Sequence, residues 1–195
     1  IKLFEQRAID ILVGTQMVVK GLDFEHVNLV GIIDADGILS FTDFRVNEKA
    51  YQLMEQVSGR AGRKDDQGKV LIQVSQANHP VLQFVQQHNY PALFNFEIDN
   101  RQEFNYPPFS RIILITCKHV DKNVAQEAAN ILMRGLSSSY GKYMTGPAQP
   151  VVDRIRNQYL WELLCKIPKQ QVSIGTFKTR LQQQILILQT NKRYR

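Results

Sequence analysis

The charge balance of this 195-residue chain reverses at one place, and that reversal limits how the chain can fold. Residues 1–105 carry 10 Lys and Arg against 14 Asp and Glu, a net of −4. Residues 106–195 carry 14 against 4, a net of +10. The step falls at Tyr106-Pro107-Pro108-Phe109, where two prolines stiffen the backbone and disfavour helix before them. A charge step on a proline pair reads as a junction between two modules, so domains are expected at 1–105 and 106–195. The length suits one ordinary domain or two small ones. At 44% apolar and 22% charged residues, folded cores are expected rather than disorder. No run approaches the roughly 18 apolar residues of a membrane span. Cys117 and Cys165 are too few for a disulfide scaffold or a four-thiolate metal site, and read as buried thiols in a reducing compartment. The opening Ile1-Lys2-Leu3-Phe4-Glu5 is neither a start methionine nor a signal peptide, and reads as a cut inside a larger protein.

Apolar runs at 9–13 and 27–33 end at Gly14-Thr15 and Asp34-Ala35-Asp36-Gly37, and a third strand is expected over 68–74. Near-continuous apolar strands suit a parallel sheet covered on both faces. Residues 1–7 read as the end of a helix. Ala50, Leu53, Met54 and Val57 share one face of a helix over 47–58. His79-Pro80 opens another helix, and a polar helix is expected from Pro91 to about Phe104. In the basic half, strands are expected at 111–117, 143–146 and 159–166, with 151–156 a candidate partner for the last. Gly146 to Pro150 reads as a turn-rich stretch. Helices are expected at 121–138 and 173–189. The order β-α-β-β-α is a split βαβ layout without its final strand, which would leave an unpaired sheet edge. The fold class expected is α/β, with a parallel sheet followed by a small α+β domain.

The most specific stretch is Gln56-Val57-Ser58-Gly59-Arg60-Ala61-Gly62-Arg63. Gln56, Arg60 and Arg63 stand at i, i+4 and i+7, one side of a helix continued from residue 47. Gly59 and Gly62 leave room for a ligand or another domain to approach. Two planar guanidiniums suit the charge on a transferring phosphoryl group. The alternative is a pair of surface arginines in ion pairs near a helix end. The chain also carries Gly14-Thr15-Gln16-Met17 and Lys20-Gly21-Leu22-Asp23-Phe24 after a sheet strand, where α/β proteins place their sites.

These two stretches resemble motifs V and VI of superfamily 2 helicases. The form of residues 14–24, with Asp34-Ala35-Asp36-Gly37, Asp43-Phe44-Arg45 and Glu48, is similar to the primosomal protein N′ family of replication-restart DNA helicases. Tyr106-Pro107-Pro108-Phe109 and Gly146-Pro147-Ala148 with Arg154, Arg156 and Tyr159 extend the resemblance over essentially the whole chain.

The resemblance implies an ATP-dependent 3′–5′ DNA helicase that recognises stalled or abandoned forks and helps reload the replicative helicase. It implies that 1–105 is the latter part of a second RecA-like lobe and 106–195 an S10-like C-terminal domain. Arg63 would be the arginine finger, with Arg60 and Gln56 at the γ-phosphate. Gly21 and Asp23 would line the nucleotide side. Thr15, Gln16, Met17 and Lys20 would couple that loop to DNA. ATP with magnesium, and zinc on cysteines outside this chain, are the implied cofactors. Single-stranded and forked DNA, other restart proteins and single-stranded DNA-binding protein are the implied partners. A monomer in the bacterial cytoplasm, away from membranes, is expected. This chain has no Gly-rich Lys-Ser/Thr phosphate loop, so alone it is expected to be inert. The alternative is a non-catalytic DNA- or protein-binding module of the restart machinery.

Asp34 and Asp36, two apart with no third ligand, suit loop capping or interlobe contact better than metal. No His has a Cys or His at ligand spacing. In the basic half, phosphate binding competes with a merely solubilising face. Arg154 and Arg156 share parity, as do Tyr159 and Trp161; each pair would share a face of an extended segment. Arg154, Arg156 and Lys166 are read as DNA-facing and Trp161 as core. Tyr159 is either a base-stacking ring or part of the core.

Overall fold

The computed structural model describes residues 2–15, 27–59, 61 and 68–194. The chain divides into two compact units, Ile1–Asp99 and Asn100–Arg195. Together they form a mixed α/β structure with one parallel and one antiparallel sheet.

In the first unit, α1 (Lys2–Glu5) is followed by β1 (Leu29–Ile32), α2 (Ala35–Leu39) and α3 (Val46–Ser58). Then come β2 (Lys69–Ile72), α4 (Pro80–Gln86) and α5 (Tyr90–Glu103), whose last residues belong to the second unit. β1 and β2 pair in parallel from Leu29↔Lys69 to Ile32↔Ile72. The apolar stripe of α3 does what its spacing predicts: Ala50, Met54 and Val57 are buried, with Tyr51 beside them. Ala50, Tyr51 and Met54 pack with Ala35, Val81, Leu82, Val85 and Leu93. Pro80 needs no N–H partner in the first turn of α4, and His79 caps that helix by accepting from the Val81 N–H at 3.3 Å.

One expectation fails here. Residues 9–13 form no strand, and Ile11 and Val13 are 78% and 83% exposed. An apolar run becomes a strand only where another strand takes its backbone groups, and no described residue does so for this one.

The second unit comprises β3 (Ser110–His119), α6 (Lys122–Tyr140), a 3₁₀ turn (Gly141–Tyr143) and β4 (Met144–Ala148). These lead into β5 (Arg154–Ile155), β6 (Gln158–Pro168), α7 (Ile174–Thr190) and a last 3₁₀ turn (Lys192–Tyr194). β6 is central and antiparallel to β3, β4 and β5. β3 and β4 therefore run parallel to each other with β6 between them. Asp121 starts α6 by accepting from the Asn123 and Val124 N–H groups at 2.8 and 3.4 Å. Leu132, Leu136, Tyr140, Leu163, Cys165, Ile167, Phe177 and Leu188 form the core between helices and sheet. Phe177 meets Tyr140 edge-on, with centroids 5.0 Å apart.

β4 also corrects the sequence reading. The stretch read as turn-rich from Gly146 continues as strand to Ala148, with a register shift between Thr145 and Ala148. Gly146 makes this work. Its φ is +112°, and a Cβ there would lie 2.6 Å from the Glu162 carbonyl oxygen. Gly146→Ala is expected to destabilise the second unit by about 1–3 kcal/mol from backbone strain alone, before the clash is added. Chemical denaturation of both proteins measures it.

Cys165 is buried and Cys117 partly so, both on the helix-facing side of the sheet. Burial pushes each thiol up from 9.0 to about 11. Both are expected to resist iodoacetamide near neutral pH and to react once denaturant is added, since only the thiolate attacks. Because the folded values are raised, their contribution to stability is complete below pH 9 and is lost as pH climbs through about 11.

Candidate functional site

The first candidate site begins on α3. Asp43 organises the entrance to this helix: it takes the Arg45 N–H at 3.0 Å and pairs with the Lys49 ammonium. Its carboxyl sits below the usual range, chiefly through the Lys49 hydrogen bond. Asn47 donates to the buried Glu97 on α5 at 2.8 Å, which fixes the helix from the other side. Gln56 lies on the face opposite the core and is exposed. The Ser58 hydroxyl donates back to Met54 at 2.8 Å, and Gly59 caps the helix through its N–H to Glu55 at 2.9 Å. α3 thus ends at Ser58. Of Gln56, Arg60 and Arg63, the structure describes Gln56. Arg60 and Arg63 lie outside the described residues, as do Gln16, Met17, Lys20, Gly21 and Asp23. Thr15 is described; it is exposed and in no regular element.

A link missed from sequence lies at the carboxyl ends of the two parallel strands. Asp34, with φ 57°, caps α2 by accepting from the Gly37 N–H at 3.2 Å. Asp36 accepts from the Ser75 N–H at 2.8 Å and the Ser75 hydroxyl at 2.6 Å. Each aspartate thus accepts from a backbone N–H, and Asp36 also from a hydroxyl. Among the described residues no group of three or more His, Cys, Asp or Glu could hold a metal. Cys117 and Cys165 are held protonated by burial. Among the described residues, none of these groups fits a zinc or magnesium site.

The second candidate site is a hairpin of β5 and β6. Arg154 pairs with Tyr159 and Ile155 with Gln158, so Arg156 and Asn157 form a two-residue turn. Both have positive φ, 48° and 64°. That is the backbone of a type I′ turn. Asn tolerates it readily, whereas Arg is an uncommon occupant. The turn breaks the pairing read from parity: Arg156 stands at the tip, not beside Arg154. What register brings together instead is Arg154 and Tyr159, the guanidinium 4.9 Å from the ring centroid. Asn157 accepts from Arg154 and holds it there. Lys166 is placed differently. Its ammonium donates to the Phe104 carbonyl at 3.0 Å and lies 3.7 Å from the Tyr106 ring centroid, a cross-link within its own unit. Trp161 is partly buried, and its indole nitrogen is buried with no hydrogen-bond partner.

Comparison with known proteins shows the family. Residues 1–65 match the helicase conserved C-terminal domain, and residues 102–193 match the primosomal protein N C-terminal domain. The chain belongs to the PriA family. It is 40% identical over 170 residues to the replication restart protein PriA of Synechocystis sp., covering 85% of this chain and 20% of that protein. With PriA of Bacillus subtilis it is 36% identical over 180 residues, 91% of this chain and 22% of the relative. With PriA of Haemophilus influenzae it is 33% identical over 168 residues, 85% and 23%. The chain therefore spans about a fifth to a quarter of the length of these PriA proteins. Among the described residues, no helix is long and apolar enough to cross a membrane.

Proposed function

We propose that this chain supplies the later part of the second RecA-like lobe and the S10-like C-terminal domain of an ATP-dependent 3′–5′ DNA helicase. That helicase recognises stalled or abandoned forks and promotes replisome reloading in the bacterial cytoplasm. One observation carries the reading: a helicase C-terminal segment and a primosomal C-terminal segment follow each other in one chain. The split βαβ topology of the second unit, with β6 inserted between the parallel β3 and β4, agrees with it.

In this reading Gln56, Arg60 and Arg63 face the γ-phosphate of ATP and Gly21 and Asp23 line the nucleotide. Thr15, Gln16, Met17 and Lys20 connect that loop to the DNA strand. ATP supplies the driving energy, while magnesium and zinc are held by parts of the protein beyond these residues. Forked and single-stranded DNA, restart proteins and single-stranded DNA-binding protein are its partners. The Arg154–Tyr159 pair and Arg156 bind the phosphate backbone and bases.

A protein of the relatives' full length containing this chain is expected to unwind forked DNA with ATP. The 195-residue chain alone is expected to bind DNA without hydrolysing ATP. Phosphate contacts make that binding steep in salt. Arg154→Gln is expected to flatten the slope of log K against log salt by about 0.7–0.9, weakening unrelated sequences alike. Fluorescence anisotropy at several salt concentrations measures this. No binding by a folded, monomeric chain at low salt overturns the DNA assignment.

A further inference from the structure

The β5–β6 hairpin has two unlike faces, and phosphate binding accounts for only one of them. Neighbouring residues of a strand point to opposite faces. Arg154 and Tyr159 occupy one face as a cross-strand pair, while Ile155 and Gln158 occupy the other. Ile155 is 50% exposed, and Val151 and Val152, leading into the hairpin, are 96% and 60% exposed. Three aliphatic side chains in solvent within five residues are a standing cost unless something covers them. The same five residues and the turn carry Arg154 and Arg156, neither paired with a carboxylate among the described residues. Asp153, the acidic residue of the segment, accepts from Gln149 at 3.2 Å, and its carbonyl takes the Leu160 N–H at 2.8 Å. Those bonds hold the base of the hairpin while its tip stays exposed.

A hairpin with cations on one strand face and at its tip, and exposed aliphatic side chains on the other face and in the segment leading in, matches one feature of DNA. A continuous duplex shows phosphates outward along its length and keeps its base faces stacked against one another. Where a duplex opens, the last base pair shows an apolar stacking face directly beside the flanking phosphates. We propose that the hairpin at Val151–Tyr159 reads the open end of a duplex. Val151, Val152 and Ile155 cover the terminal base pair while Arg154 and Arg156 hold the phosphates on either side. Aliphatic wedges against base steps are an established mode of DNA contact. The positive φ values at Arg156 and Asn157 make the tip narrow, with two residues between the strands. The inference rests on the DNA reading of the second unit and adds the structure of the DNA it selects.

The test uses the 195-residue chain and three labelled probes in fluorescence anisotropy: a single strand, a dumbbell duplex closed at both ends, and a fork of the same duplex sequence. The wild-type chain is expected to bind the fork about tenfold more tightly than the dumbbell, the scale of burying one or two aliphatic side chains. In V151S/V152S/I155S that preference is expected to collapse, with dumbbell affinity and salt slope unchanged. In R154Q/R156Q all probes are expected to weaken together and the preference to persist. The sites are exposed, so unchanged thermal melts establish that the variants are folded. Equal behaviour of wild type and the triple serine variant on every probe overturns the proposal and leaves the aliphatic face to a protein partner. Absence of binding to any probe by the wild type overturns the underlying DNA reading instead, and the two failures are told apart by that control.

Discussion

Arg63→Ala, made in a protein of the relatives' full length containing this chain, is expected to lower kcat for ATP hydrolysis by about 10³–10⁵ with ATP Kd nearly unchanged. A guanidinium that meets charge developing on the γ-phosphoryl group acts on the transition state, so its loss appears in kcat and not in ground-state binding. Arg63→Lys is expected to rescue poorly, because an ammonium is a point charge without the planar fork. Gln56 belongs to the same cluster but stands on α3, whose position is set by Asp43, Asn47 and the buried Met54. Gln56→Ala is therefore expected to leave the fold intact. Single-turnover hydrolysis with a parallel nucleotide titration decides the matter. Unchanged kcat in Arg63→Ala would return Arg63 to an ordinary surface role.

Phe177→Ala is expected to cost the second unit about 3–5 kcal/mol, a large share of a small domain's stability. Phe177 is among the largest fully buried side chains and projects from α7 against Tyr140 and the sheet. Its removal leaves a cavity that the edge-on Tyr140 ring does not fill. Phe177→Leu keeps most of the volume and is expected to cost less. The chain has one tryptophan, Trp161 on β6, so its fluorescence during urea unfolding reports this unit specifically. The hairpin grows from the same strand, and DNA affinity is expected to fall in step with the unfolded fraction. A midpoint unchanged in Phe177→Ala would contradict the packing described.

What could be read from sequence was what is set locally. The helix expected over 121–138 forms as α6, capped by Asp121, because a cap and an apolar stripe act within one or two turns. His79-Pro80 announced α4 for the same reason. Residues 9–13 misled because their apolar character says nothing about whether a neighbouring strand is there to pair with them. The continuation of β4 through Gly146 was hidden because glycine and proline signal a turn. Here the glycine answers a distant crowding by the Glu162 carbonyl. The motif residues Gln56 and Gly59 stood out in sequence, and their places at the end of α3 follow from it. The adjacency of Arg154 and Tyr159 did not, since it depends on register, and register was set by an Arg-Asn turn whose first residue is a poor turn former.

The bonds from Ser75 to Asp36 join the first turn of α2 to the segment after β2, 39 residues apart in sequence and behind different strands. Through them, one carboxylate is shared by the carboxyl ends of β1 and β2, with both the amide and the hydroxyl of Ser75 engaged. β1 is followed by α2 and β2 by α4, and Ala35 of α2 and Val81 of α4 pack with Ala50 and Met54 of α3. The Asp36–Ser75 bonds thus tie together the two strand ends whose following helices seat α3, the helix that carries Gln56.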